Sequence, residues 1–194
     1  MKSLITYLIS RKNMATLSQA RTLGGVGSIL AILAFVPVAG PILAIIGFVL
    51  VLIAVNYISD AVGDPSIFKN YLIAVILSIV GIVVISFSGF AAYPALISSM
   101  AGGPERFLNI FSLSVIGALV AVWILSIISA IFVRRSFNSI ASAVGVKMFS
   151  TAALLYLIGA ILMIAFGIGG IISFIALILQ IIAFFQLPAE GAAA

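Results

Sequence analysis

The sequence predicts an all-α protein: a polytopic transmembrane helical bundle of six spans, with four spans as the fallback count and an interfacial helix at the N-terminus. Three observations carry that prediction. Apolar residues make up 65% of the chain and charged residues 7%, with a mean hydropathy of +1.46, a balance that cannot furnish a water-facing surface. The nine basic and four acidic residues fall between long apolar runs and not in the middle of them. The runs approach the roughly 17 to 25 residues that a helix needs to cross about 30 Å of hydrocarbon.

The elements follow in chain order. Residues 1–20 read as an amphipathic segment, because Leu4, Ile5, Leu8 and Ile9 share a helical face with Arg11 and Lys12 just beyond, as in a helix lying on the inner leaflet. Residues 4–9 are too short for the apolar region of a secretory signal, and no small-x-small cleavage site follows. Residues 21–188 form one membrane domain, with spans expected at 23–38, 40–59, 68–90, 107–133, 149–166 and 169–187. The first is short and ends in Val36-Pro37-Val38-Ala39-Gly40-Pro41, where two prolines interrupt helical bonding and leave a re-entrant path open. Gly167-Ile168-Gly169-Gly170 divides the last two into a tight hairpin. Beyond Arg134 and Arg135, the apolar stripe Phe137, Ile140, Ala141 and Val144 continues the fourth span as a cytoplasmic or interfacial helix. Residues 189–194 are a tail, of which Gly191–Ala194 reads as an appended remnant outside the functional reading.

Charge placement sets the orientation. With both termini cytoplasmic, Lys2, Arg11, Lys12, Arg21, Lys69, Arg134, Arg135 and Lys147 lie inside and Arg106 outside, the bias expected of short loops in a multi-pass protein of the cell membrane. Tyr57, Tyr71 and Tyr93 near span ends suit aromatic belts, whereas Trp123 lies near mid-span. The net charge of +5 does not indicate nucleic acid, since the basic residues are scattered among span ends. Without Cys there is no disulfide or thiol nucleophile, and without His the commonest base and metal ligand is missing.

Two internal similarities compete. Ile58-Ser59-Asp60-Ala61-Val62-Gly63 resembles Ile140-Ala141-Ser142-Ala143-Val144-Gly145, with Ile67-Phe68 set against Met148-Phe149 as the step into the next span; this pairs spans two and three with four and five about an axis along the membrane normal. The other pairs the first hairpin with the last through chargeless outer turns rich in Gly or Pro. Small residues four apart at Gly27 and Ala31, Ala74 and Ser78, Gly117 and Ala121, and Ser126 and Ala130 offer close helix contact, within one bundle or between copies.

Candidate functional positions are few. Asp60 and Asp64 could share a helical face with Asn56, and Ala61-Val62-Gly63-Asp64 is similar to the Gly-x-Gly-Asp motif of intramembrane aspartyl proteases. The first glycine of that motif is Ala61 here, and no second intramembrane acid accompanies it. A solvated turn at Asp64-Pro65, with Lys69 and nearby arginines as partners, accounts for both acids. Ser86-Phe87-Ser88-Gly89 lacks a nucleophile-elbow frame and a histidine to activate it. Gly24-Gly25-Val26-Gly27 lacks the Gly-Lys-Ser/Thr of a phosphate loop. Gln180 is the amide closest to mid-membrane and should face another helix, as glue or as part of a solute path.

Thr16-Leu17-Ser18-Gln19-Ala20-Arg21-Thr22-Leu23-Gly24-Gly25, Tyr57-Ile58-Ser59-Asp60 with Gly63-Asp64, Ile67-Phe68-Lys69-Asn70 and Phe184-Phe185-Gln186-Leu187-Pro188 together resemble domain-of-unknown-function family 996, small polytopic membrane proteins found mainly in archaea. The resemblance runs from Met14 to about Pro188. It implies a membrane location and carries no activity or catalytic residue across.

The expected role is that of a noncatalytic structural or accessory membrane component, with the lipid bilayer around it and a second copy or another membrane protein as partner. No catalytic residue, cofactor or metal is expected. A small transporter or channel is the alternative, motivated by the interrupted hairpins and by Asn56, Asp60 and Gln180. A polar cavity joining Asp60 to Gln180 would favour it.

Overall fold

The computed structural model describes residues 2–33, 36–37, 39–100, 113–164 and 168–188. Arg106, the expected start of the fourth span at 107–112, Phe166 and the tail at 189–194 lie outside the described residues. Six α-helices follow one another among these residues: α1 (Lys2–Ile32), α2 (Gly40–Val62), α3 (Pro65–Met100), α4 (Leu113–Val144), α5 (Met148–Ile161), which runs into a 3₁₀ turn at Leu162–Ile164, and α6 (Ile168–Phe185). Among the described residues four helices are long and apolar enough to cross a membrane, at Ile42–Val62, Pro65–Gly89, Val115–Val144 and Ile168–Phe185. The fourteen residues of α5 rise only about 21 Å, and α1 carries basic residues as far as Arg21, leaving a short uncharged apolar stretch after it. α1 runs unbroken through residue 20, where Ala20 is fully buried.

Local chemistry places the ends. The two prolines of the first hairpin are accommodated where no helical bond is lost: Pro37 lies in the turn and Pro41 in the first turn of α2. The α2–α3 and α4–α5 turns share one design. Gly63 (φ 71°) and Gly145 (φ 75°) each take the left-handed conformation that ends a helix, donating to Ser59 O and Ala141 O. The Ile67 and Phe149 amides then donate to Asp64 O and Val146 O at the same 3.3 Å. The first internal similarity is therefore real as turn geometry, but in a corrected register: Ile67 matches Phe149, and both are fully buried. It does not extend to whole hairpins, since α3 has 36 residues and α5 has 14.

Each helix packs on its successor and α6 returns to α1, closing a ring. The first and last hairpins are tied by reciprocal glycine contacts. A Cβ at Gly27 would overlap Gly47 O and one at Gly47 would overlap Gly27 O; Gly159 and Gly169 stand in the same relation. This gives the second similarity a physical basis, because both hairpins depend on backbones meeting without a side chain between them. The middle hairpin is joined by hydroxyls: Ser78 Oγ and Ser129 Oγ lie 3.1 Å apart and each reaches Ala74 O at 2.9 Å. The Ser136 hydroxyl also donates to Ile67 O at 2.8 Å. Of the small-residue pairs, Gly117 and Ala121 form no such contact: Gly117 faces open space and Ala121 is exposed.

The core gathers at the end of the ring that carries the Gly63 and Gly145 turns. Tyr71 of α3 stacks on Phe137 of α4 (centroids 5.8 Å apart, planes at 5°), Phe137 meets Phe149 of α5 edge-on at 5.4 Å, and Phe149 meets Phe184 of α6 edge-on at 5.1 Å. The ring of Phe184 covers Gly24 of α1, and Val55 and Ile58 of α2 complete the layer. Two expectations change here. Tyr71 is 6% exposed and belongs to this core, not to an interfacial belt. The stripe Phe137, Ile140 and Ala141 is buried in the bundle and does not lie on a membrane surface. The outside of the ring is apolar, with Ile45, Ile82, Phe87 and Ile171 more than 60% exposed, an exterior suited to lipid.

Candidate functional site

Above the aromatic layer the helices part around a chamber of about 730 Å³. All six contribute to its wall, from Ala31 on α1 and Val51 on α2 to Tyr156 on α5 and Gln180 on α6. Along α3 the lining residues are Tyr71, Ser78 and Ile85; along α4 they include Leu119, Trp123, Ser126, Ala130 and Val133. These spacings keep one helical face on the chamber, and Tyr71 and Ile85 are about 21 Å apart along the axis. The wall is mostly apolar, and no described lining residue carries a formal charge.

The polar groups on the wall are of two kinds. Some are already bonded. The Trp123 indole donates to Ala160 O and Ile161 O at 3.1 and 3.2 Å, covering carbonyls at the end of α5 that have no helical successor. Ser126 Oγ is turned back onto Trp123 O at 2.7 Å. Others have capacity left. The Ser28 hydroxyl gives its proton to Gly24 O at 2.7 Å, so it accepts from Gln180 Nε2 at 2.8 Å. That fixes the Gln180 amide with its nitrogen toward α1 and leaves Oε1 on the other side. Tyr71 and Tyr156 both line the chamber. Among the described residues neither hydroxyl has a hydrogen-bond partner, yet no buried side-chain oxygen or nitrogen is sealed away without one. Both hydroxyls therefore open on the chamber.

The other sequence candidates lie elsewhere. Asn56 Nδ2 donates to Asp60 Oδ2 at 3.4 Å on the outer surface of α2, where Asp60 is exposed. Asp64 is a turn residue: its Oδ1 accepts the Ser66 amide at 2.9 Å, capping α3 ahead of Pro65, while its carbonyl accepts the Ser59 hydroxyl at 2.8 Å. Lys69 is exposed and, among the described residues, pairs with neither acid. Among the described residues, Asn56, Asp60 and Asp64 line no part of the chamber that holds Gln180. Tyr71, Tyr156 and Trp123 were not singled out as site residues from the sequence. Their signal is the spacing of Tyr71 and Ser78, and of Trp123, Ser126 and Ala130, which puts polar and aromatic groups on one face of an otherwise apolar span.

Four membrane-length apolar helices in a closed ring of six, around an uncharged chamber, define a helical-bundle membrane protein. The chain belongs to the family described as Protein of unknown function (DUF996), whose model matches residues 43–178, from α2 into α6. It is also similar to Uncharacterized protein MJ1644 of Methanocaldococcus jannaschii, with 35% identity over 173 residues covering 89% of this chain and 93% of that relative. No solved structure matches the chain.

Proposed function

We propose that the protein is a noncatalytic component of the cell membrane, with a structural or accessory role exercised through self-association or a second membrane protein. The observation that carries this reading is the separation of charge from the interior. The described acids sit in or beside the α2–α3 turn, while the chamber wall holds only hydroxyl, phenol, indole and amide groups. General acid–base chemistry near neutral pH and proton coupling are best served by a carboxylate, His or Lys inside the hydrocarbon region, and the described wall offers only phenols. Affinity recovery from native membranes, with cross-linking before solubilisation, is expected to return a dimer or a defined partner. Recovery solely as an uncross-linked monomer would sink the proposal.

Transport of a small solute is the second reading, favoured by a chamber to which every helix contributes. Ion or solute flux into proteoliposomes above that of empty vesicles would establish it over the first. The mostly apolar wall argues against an ion as the solute, because its described lining residues supply no ring of charged side chains to replace lost hydration.

Both readings share an orientation with cytoplasmic termini. Lys69 and Lys147 flank the Gly63 and Gly145 turns, and Arg134 and Arg135 lie in the same half of the bundle, where Arg135 also stands 5.4 Å over the Phe132 ring. The chain has no native Cys, so a single Ser142→Cys probe reports that end without background. It should resist a membrane-impermeant maleimide in intact cells and react in inverted vesicles; the reverse pattern would overturn the orientation.

A further inference from the structure

We propose that the chamber is a binding site for an uncharged, chain-like lipid with one oxygen-bearing head group, an alcohol or carbonyl compound, held at the Tyr71, Tyr156 and Gln180 end. This goes beyond the accessory role and stands on different observations. The volume of about 730 Å³ falls within the roughly 300–1,000 Å³ of small-ligand sites. The lining is elongated, about 21 Å between the levels of Tyr71 and Ile85, and it meets the aromatic layer at Tyr71. A chain fits such a shaft and a compact solute leaves most of it unfilled.

The head group is specified by what the wall leaves unpaired. Tyr71 and Gln180 are 6% and 5% exposed, yet the Tyr71 hydroxyl and Gln180 Oε1 keep hydrogen-bonding capacity on the chamber side. Two phenols can donate to a carbonyl or hydroxyl oxygen, and the amide oxygen can accept from a hydroxyl. No described lining residue is cationic or anionic, so a carboxylate, phosphate or ammonium head would be stripped of water without a counter-charge. Unmet polar capacity deep in a shaft that is otherwise apolar marks a ligand with its oxygen at the bottom and its chain running toward Leu119 and Met163.

Entry is available from the side. A crevice of about 230 Å³ between α3 and α4 shares Ser78, Ile85, Val122 and Ser126 with the chamber. Gly81 lies on it, and a Cβ there would stand 3.9 Å from Val122 Cγ1, so the crevice is left open where most residues would narrow it. It faces the apolar exterior that carries Ile82, from which a membrane-dissolved lipid would approach.

Trp123, the single tryptophan, lies on the wall and serves as the reporter. Full-length protein in nanodiscs is titrated with 9,10-dibromooctadecanol, whose bromines quench indole fluorescence on contact, and in parallel with 9,10-dibromostearate, the anionic analogue. The expected result is saturable quenching by the alcohol, at least ten-fold weaker binding of the acid at neutral pH, and about ten-fold weaker alcohol binding in the Tyr71→Phe/Tyr156→Phe double variant. The last figure is the loss expected when net hydrogen bonds of about 0.5–1.5 kcal/mol each are removed. A second variant, Ser126→Leu, fills the shaft without touching the phenols and should abolish saturation. Quenching that rises linearly with probe content, or is the same for both probes and in both variants, would show collision with bulk lipid and overturn the proposal.

Discussion

Gly47→Leu is expected to separate the first two helices and to cost about 3 kcal/mol, the top of the usual range for overpacking. The reason is what opposes the new side chain. A Cβ at Gly47 would meet the backbone oxygen of Gly27, the Ala31 nitrogen and Leu30 Cβ, and helix backbone cannot swing aside as a side-chain tip can. The hairpin must open along its length, which uncovers Ser28 and the Gln180 bond across α1 and α6. Alanine is already too large. Gly27→Ala, Gly159→Ala and Gly169→Ala should each destabilise by about 1–2 kcal/mol, despite the gain of up to about 1 kcal/mol that alanine brings to a helix. Gly117→Ala, where nothing stands within 4 Å, should be neutral or stabilising. Unfolding in mixed detergent and SDS micelles measures the series. Equal effects at Gly47 and Gly117 would mean that the glycine contacts do not hold the hairpins.

The contrast between Gly47 and Gly117 also shows where sequence reading runs out. Hydropathy found the helices, since the need to satisfy every backbone group in lipid leaves long apolar runs one structural choice. The Asp64-Pro65 turn was legible, and it opens α3; Gly63 and Gly145, which end helices, stood out in the sequence only as parts of a repeat. Which face turns inward was not legible. In a water-soluble helix the polar face marks the outside, but lipid and protein core are both apolar and the periodicity fades. Gly27 with Ala31 and Gly117 with Ala121 therefore looked alike, though only the first meets a neighbouring backbone. For the same reason Tyr71 read as a belt residue, when its ring stacks on Phe137. Gln180 was the exception, because an amide in hydrocarbon must find a partner, and it finds Ser28. Asp60 and Asp64 stand out by chemistry, yet neither lines the chamber.

Phe149→Ala is expected to be the second most damaging change, at about 3 kcal/mol, the lower end for Phe truncation in a core. The lower end applies because part of the usual cost is water contact in the unfolded reference, and within the bilayer that reference is lipid. What remains is lost packing, and at Phe149 it is concentrated: the ring is fully buried and edge-on to both Phe137 and Phe184. Each such pair contributes about 0.5–1.5 kcal/mol beyond area burial. Removing the middle ring disconnects α4 from α6 at the level where Phe184 covers Gly24 of α1. Phe87→Ala is the matched control, because Phe87 is 74% exposed on the outer face and loses only lipid contact. Tyr71, at one end of the layer, also lines the chamber, so loosening the layer by Phe149→Ala should deepen the shaft toward the Gly63 and Gly145 turns. The variant is then expected to accept a longer brominated alcohol than the native protein while unfolding earlier in SDS. If Phe149→Ala and Phe87→Ala unfold together and bind the same chain lengths, the aromatic layer neither limits the shaft nor holds the ring.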